Sequence, residues 1–258
     1  WEESVHRLYL LERRGIKLDL ERVRECLRAL GDPQQTFDSV LVAGTNGKGS
    51  TAAALASILS LSGTRVALYT SPHLLDFRER IRIDGCMDDG ALLHARLERD
   101  WETWERFELS FFEAATVLAL ARFREAGVQV AVLEVGLGGR LDATNTVEPI
   151  LSVVTSLGMD HAQILGSTAA AIAREKAGIF RAGVPAVTAG GPLGTSAVLE
   201  ARARKVGARL YRRSRCVRVS AITPPAAVAG VRFRLTARAG APAGFTLPPE
   251  GILLESVL

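Results

Sequence analysis

Lys48 closes a glycine-rich run, Ala43-Gly44-Thr45-Asn46-Gly47-Lys48-Gly49-Ser50, that follows the apolar stretch Ser39-Val40-Leu41-Val42 and leads into the alanine-rich Thr51 to Leu61. A turn of this composition between a strand and a helix leaves backbone N–H groups facing inward. The helix start adds partial positive charge, and a lysine at the end of the turn reaches a terminal phosphate. Thr45, Asn46, Gly47, Lys48, Gly49 and Ser50 are therefore the candidate nucleotide-binding residues, and the expected ligand is a nucleoside triphosphate. The strict pattern G-x-x-x-x-G-K-[ST] fails twice, because Val42 occupies the first glycine slot and Gly49 stands where Ser or Thr is expected. The alternative is a glycine-rich turn that only packs a helix on a strand.

Glu134 ends the apolar run Val130 to Val135. Mg²⁺ is a hard octahedral cation held by few protein groups plus phosphate oxygens and water, so a carboxylate at a strand end beside a phosphate loop is a natural ligand. Other polar residues have plainer readings when taken singly. Ser71 is a turn residue before Pro72, His161 a loop or helix-start histidine, and Lys176 a lysine at a helix C-terminus with Gly178 as the stop. Phe111 and Phe112 are either helix core or an aromatic face for a flat ring. Arg78, Arg80 and Arg82, spaced by two, either meet anionic groups or line one strand face.

These residues need a scaffold that gathers them. Leu8, Leu10, Leu11 and then Leu20, Val23, Leu27 and Leu30 fall at helical spacing, with Gly15 and Gly31 as stops, which predicts two N-terminal helices. Short apolar strands then alternate with helical patterns: Val40 to Ala43, Val66 to Tyr69, Val130 to Val135, Leu151 to Thr155 and Ala186 to Ala189. Such alternation predicts an α/β fold with a mostly parallel sheet and helices on both faces. The ligand crevice of an open α/β sheet lies beyond the carboxyl ends of its strands, which groups the loops after Ala43, Tyr69, Glu134 and Thr155 at one site. From Ala208 onward the pattern turns Arg-rich and β-like, and an antiparallel edge or small appendage is expected there. The run Arg209, Arg212, Arg213, Arg215 and Arg218 reads as a solvated strand edge.

The composition is that of an ordinary globular chain: 258 residues, 48% hydrophobic and 23% charged. A net charge of +4 is too small over this length to indicate nucleic acid. The three cysteines, Cys26, Cys86 and Cys216, lack metal-ligand spacing and are expected as reduced, buried fillers in a cytoplasmic protein. No apolar run reaches the roughly 18 residues of a membrane span, and no basic and apolar leader opens the chain, so neither a membrane nor export is expected. A first residue of Trp rather than Met points to a trimmed start.

Taken together, Thr45-Asn46-Gly47-Lys48, Ser71-Pro72-His73, the stretch Glu134 to Asn145 and Asp160-His161 resemble the folylpolyglutamate synthases of the Mur ligase superfamily, in particular the bacterial kind that often also acts as a dihydrofolate synthase. The resemblance extends over roughly residues 5 to 210. The loop Gly136-Leu137-Gly138-Gly139-Arg140-Leu141-Asp142-Ala143-Thr144-Asn145 carries most of it, being far more specific than a lone G-x-G-x-x-G. It implies a central P-loop ATPase domain with N-terminal helices at 1–36, an α/β core at 37–207 and a β-rich edge with an atypical tail at 208–258. The family's C-terminal Rossmann-like domain has no counterpart in the sequence, so the chain by itself is expected to be inactive or impaired.

The activity implied is ATP-dependent addition of L-glutamate to dihydropteroate or a reduced folate through an acyl phosphate, by a monomer. By resemblance, ATP sits on the Lys48 loop, and two Mg²⁺ ions are held with help from Ser71, Glu134 and His161. Lys176 is carbamylated to support the second ion, which requires a neutral amine and hence a lowered pKa. The acceptor lies among Ile16, Lys17 and Leu18, the stretch His73 to Arg80, Ser110, Phe111, Phe112 and Glu113, and Leu141, Asp142 and Ala143. Lys48, Lys176 and His161 carry the catalytic roles. Two alternatives stand beside this: a non-catalytic nucleotide or folate-binding module, and another Mur-type amino-acid ligase. Against the latter, Ser71-Pro72-His73-Leu74 and Leu141 to Asn145 favour folate over a muramyl substrate.

Overall fold

Along the strand that leads into the Lys48 loop, Val40 and Val42 pack to one side and Leu41 and Ala43 to the other, and this two-residue period sorts the whole molecule into layers. The structure, a computed structural model, describes residues 1–15, 17, 19–223, 231–237 and 252–254. In chain order these form α1 (Glu2–Leu10), α2 (Glu21–Ala29), β1 (Asp38–Ala43), α3 (Lys48–Leu61), β2 (Val66–Tyr69), β3 (Ile81–Ile83), β4 (Cys86–Met87), α4 (Gly90–Arg106) and α5 (Phe111–Glu125). There follow β5 (Val130–Glu134), β6 (Pro149–Ser156), α6 (Ala162–Leu165), α7 (Ala169–Lys176), β7 (Pro185–Gly190), α8 (Thr195–Val206) and β8 (Arg209–Arg212).

Eight strands make one sheet in the order β4-β3-β2-β5-β1-β6-β7-β8. The six from β2 to β8 run parallel, and β3 and β4 are antiparallel at one edge. β1 and β5 therefore lie in the middle, with both neighbours parallel, so the Lys48 loop and Glu134 emerge side by side at their carboxyl ends. The N-terminal helices stop where glycine was expected to stop them: Gly15 and Gly31 adopt φ of 68° and 77°, in the region that favours glycine.

The smaller face of the sheet carries α3, whose Ala52 and Ala56 pack on Val40, Val42, Val66, Leu68 and Val132. The larger face carries the other long helices, and α5 is its centre. Residues 113–123 of α5 are all buried, between the sheet and α1, α2 and α4. A fully buried Leu such as Leu118 contributes about 1.5–3 kcal/mol by leaving water. Two charges sit inside this apolar helix, Glu113 at its start and Arg122 near its end. Arg122 donates from Nε to Asp88 Oδ2 at 2.8 Å and from a terminal nitrogen to Asp88 Oδ1 at 3.1 Å, pinning α5 to the start of α4.

Three details differ from the sequence reading. The segment from Ala208 divides in two: Arg209–Arg212 joins the main sheet as β8, parallel to β7, because α8 carries the chain back over the sheet as a crossover requires. The antiparallel part follows as a separate three-stranded sheet of β9 (Val217–Thr223), β10 (Val231–Ala237) and β11 (Ile252–Leu254). Of the atypical tail, 224–230, 238–251 and 255–258 lie outside the described residues. Of the three cysteines only Cys26 and Cys216 are buried; Cys86 is exposed because its two-residue strand is the sheet edge. Among the described residues no helix is long and apolar enough to cross a membrane.

Removing one partner of a buried ion pair strands the other charge. Arg122 also meets the Glu125 carboxylate, so Asp88→Ala should lower unfolding stability by about 2–4 kcal/mol in urea titration rather than leave the guanidinium wholly unpaired. A loss below about 1 kcal/mol would mean that the pair behaves as an exposed one.

Candidate functional site

Lys48 begins α3, and Gly47 before it holds φ at 78°, which turns the chain from β1 into the helix. The loop is fastened to the end of β6. The Thr45 amide donates to the Ser156 carbonyl at 2.8 Å, and the Thr155 hydroxyl donates to the Asn46 carbonyl at 2.8 Å. Gly44 approaches Thr155 so closely that a Cβ there would lie 1.8 Å from its hydroxyl, so only glycine fits. The Thr45 hydroxyl is occupied by Gly158, whereas Asn46, Gly47 and Ser50 are exposed. Lys48 Nζ has a single weak bond, 3.3 Å to the Thr45 carbonyl, and remains available to a ligand.

Two buried ionisable groups flank this loop. Glu134 is 5% exposed, accepts the Ser71 amide at 3.0 Å, and lies 3.3 Å from where a Gly49 Cβ would stand. Burial pushes its carboxyl above the ordinary range, against the lowering pull of the Ser71 amide and of Lys48. Lys176, at the end of α7, is 3% exposed and donates to the Gly44 carbonyl at 2.7 Å. Its pKa is lowered to about 8, first by burial and next by the nearby Lys48. The helix-end reading of Lys176 is therefore incomplete: the ammonium points into the site, not to solvent.

A cavity of about 430 Å³ opens beside Ser71, the residue whose amide Glu134 accepts. It brings together Lys17, Ser71, Ser110, Phe111, Phe112, Glu113, Leu141, Asp142, Ala143 and His161, most of the acceptor and metal candidates. Ile16 and Leu18 lie outside the described residues. Phe111 stacks on Tyr9 with ring centroids 5.2 Å apart, and both phenylalanines are half-buried, leaving area for a ligand. Phe112 sits on Gly136, where a Cβ would lie 2.3 Å from its ring. His161 has left-handed φ of 49° at the start of the short α6; its side chain is 53% exposed and lies 3.6 Å from Asp160.

Several candidates have polar groups already committed within the protein. Glu113 accepts the Ser110 amide at 2.7 Å and an Arg22 guanidinium at 2.9 Å, closing the start of α5. Asp142 accepts the Leu137 amide at 2.7 Å and the Thr144 amide at 3.0 Å, so it clamps the glycine-rich loop. That loop rests on the end of α7: a Cβ on Gly139 would meet the Glu175 carbonyl at 2.8 Å, and one on Gly178 would meet Arg140 Cβ at 2.4 Å. The specific spacing of the motif is thus that of a loop packed against the helix that carries Lys176.

The three arginines do not share a strand face. Phe77–Arg80 is a short helical turn and only Ile81–Ile83 is strand, so Arg78 pairs with Asp76, Arg82 faces the Glu79 carbonyl, and Arg80 alone turns into the cavity. Tyr9, absent from the sequence reading, and Tyr69, read there only as the end of a strand, stand beside Arg80; a tyrosine in an amphipathic helix carries no sequence signal of a site.

The triphosphate-sized loop and Glu134 stand at adjoining strand ends with Lys176 packed against the loop from the end of α7, and residues 42–189 match the Mur ligase middle domain. The chain belongs to the Mur ligase family. It is 40% identical over 219 residues to the folylpolyglutamate synthase of Lacticaseibacillus casei, covering 82% of this chain and 51% of that protein. It is 42% identical over 203 residues to the dihydrofolate synthase/folylpolyglutamate synthase of Escherichia coli strain K12, covering 79% of this chain and 48% of that protein. The chain thus spans about half the length of these curated relatives. Among solved structures, an FPGS–AMPPCP–folate complex superimposes with a TM-score of 0.87 at 38% identity, covering 93% of this chain and 60% of the other.

A lysine with a pKa of about 8 when folded and 10.5 when unfolded binds fewer protons in the folded state across that interval, so stability rises with pH there. In CO₂-free buffer, wild type should gain up to about 3 kcal/mol relative to Lys176→Met between about pH 7 and about pH 10.5 in urea unfolding. A difference that stays flat with pH would contradict the burial of a titrating amine.

Proposed function

We propose that this chain is the ATP- and acceptor-binding part of a ligase that joins L-glutamate to dihydropteroate or a reduced folate. The observation that carries this reading is that Glu134, beside the Lys48 loop, accepts the amide of Ser71, which lines a cavity with two half-exposed phenylalanine faces. The similarity to a solved complex of AMPPCP and folate supports the same pairing of ligands.

The reaction proceeds in two displacements. A carboxylate oxygen of the acceptor attacks the γ-phosphorus of ATP and ADP leaves, giving an acyl phosphate. The glutamate amine then attacks the acyl carbon, loses a proton, and expels inorganic phosphate to leave an amide. The chain's contribution is positioning and relief of phosphate charge. Lys48 meets the β- and γ-phosphates, the amides after Gly44 line them, and the aromatic wall orients the pterin.

Glu134 and Ser71 supply hard oxygen donors, and a carboxylate raised by burial gains from a cation, so these residues fit Mg²⁺. His161, a softer donor, lines the same cavity as Ser71 and completes the set. When bound, the ion would neutralise developing charge on the phosphates. Lys176 fits carbamylation by CO₂: with a pKa of about 8, about a tenth of it is neutral at pH 7, and its modification would supply a second carboxylate. A monomer in the cytoplasm belongs to the same reading.

Calorimetric titration with AMPPCP and with dihydropteroate tests this. Lys48→Met should weaken AMPPCP at least about tenfold and leave dihydropteroate within about twofold, while Phe111→Ala should do the reverse. A wild-type chain that binds neither ligand, or a Lys48→Met chain that binds AMPPCP normally, would contradict the proposal.

A further inference from the structure

Arg80 is a buried charge that the site leaves without a carboxylate. The residue is 7% exposed and lines the cavity, yet among the described residues it forms no ion pair. The acids around it are engaged elsewhere. Glu79 accepts three backbone amides, those of Leu74, Leu75 and Asp76, at 2.8–2.9 Å, and Asp76 holds Arg78. Asp142 and Glu113 are closed on the loop and on the start of α5. An unpaired guanidinium out of water is costly, so the fold must compensate for it in another way.

That compensation comes from His73, from the Tyr69 hydroxyl and from aromatic faces. Arg80 Nε donates to His73 Nδ1 at 2.7 Å, and the guanidinium carbon stands 5.3 Å from the centre of Phe111 and 5.9 Å from that of Phe77. A guanidinium can only donate, so Nδ1 accepts and the ring hydrogen is on Nε2, which donates to the Tyr9 hydroxyl at 2.8 Å. Tyr9 is in turn stacked on Phe111. A chain from α1 through His73 therefore fixes the guanidinium, with the Tyr69 hydroxyl as a further neighbour, and the residue lines the cavity. Arg80 is close enough to Glu134 to pull its pKa down, so it stands between the aromatic wall and the phosphate end of the site.

We propose that Arg80 binds the acceptor carboxylate that becomes the acyl phosphate, and that His73, held by Tyr9, is the residue that positions it. This rests on the ligase reading above. A planar carboxylate matches the guanidinium fork in a bidentate manner, and an aromatic acid would lay its ring beside Phe111 while presenting that carboxylate to Arg80. The fork would hold one carboxylate oxygen and restrain the other toward the γ-phosphorus.

The test compares binding of pteroate with binding of its neutral carboxamide, measured by calorimetry on the same chain. Wild type should prefer the acid at least about tenfold. Arg80→Met should erase that preference, leaving the two compounds within about twofold, and Arg80→Lys should retain part of it. His73→Leu should reduce the preference, and His73→Gln, which keeps an acceptor for Arg80 Nε, should restore it. A merely structural Arg80 would weaken both compounds equally and leave the ratio at its wild-type value; that result overturns the inference alone. A wild-type chain that binds neither compound overturns the ligase reading and the inference with it.

Discussion

Charge held out of water at the carboxyl ends of β1 and β5 governs this molecule. Two central parallel strands bring a glycine loop and a carboxylate to the same edge, and α7 adds a lysine that donates to the Gly44 carbonyl. Lys48 and Lys176 repel one another there, and Glu134 is desolvated beside them. Such an arrangement is unfavourable for the empty protein, and the interior tolerates it because the surrounding helices bury ample apolar surface. What relieves the positive groups is a polyanion, and what relieves Glu134 is a cation. A metal-bound triphosphate supplies both.

The glycines serve this constraint. Gly44, Gly139 and Gly178 each occupy a place where a single methyl would strike its neighbour, and together they let two loops and the end of α7 close to within backbone contact. Gly136 does the same for Phe112, on the acceptor side. The long loop from Gly136 to Asn145 is consequently one mechanical piece with α7. Asp142 ties its ends, and Arg140 accepts no freedom from its backbone bond to Glu175 at 2.9 Å.

Much of this was legible from residue order because the period of the apolar residues changes from strand to helix at the same points as the glycines fall. β1, β2, β5, β6 and β7 were all readable that way, and the loops at their ends followed from the parallel order. The three-residue β3 and two-residue β4 were not, since neither is long enough to show a period. The burial of Lys176 was readable only by resemblance, because the local pattern is equally that of a lysine at an exposed helix end. Arg80 was hidden by its neighbours: three arginines at alternate positions imitate a strand face, and only the helical turn at Phe77–Arg80 separates their directions. Contacts such as Tyr9 to His73, 64 positions apart in sequence, leave no trace in local spacing.

The most direct measurement is an NMR titration of the Lys176 side chain, assigned by Lys176→Arg, in CO₂-free buffer without and with AMPPCP and Mg²⁺. The account predicts a pKa of about 8 in the free chain and a distinct rise when the triphosphate binds, because added negative charge favours the ammonium. A lysine that titrates near its ordinary value of 10.5 and does not respond to the nucleotide would contradict it.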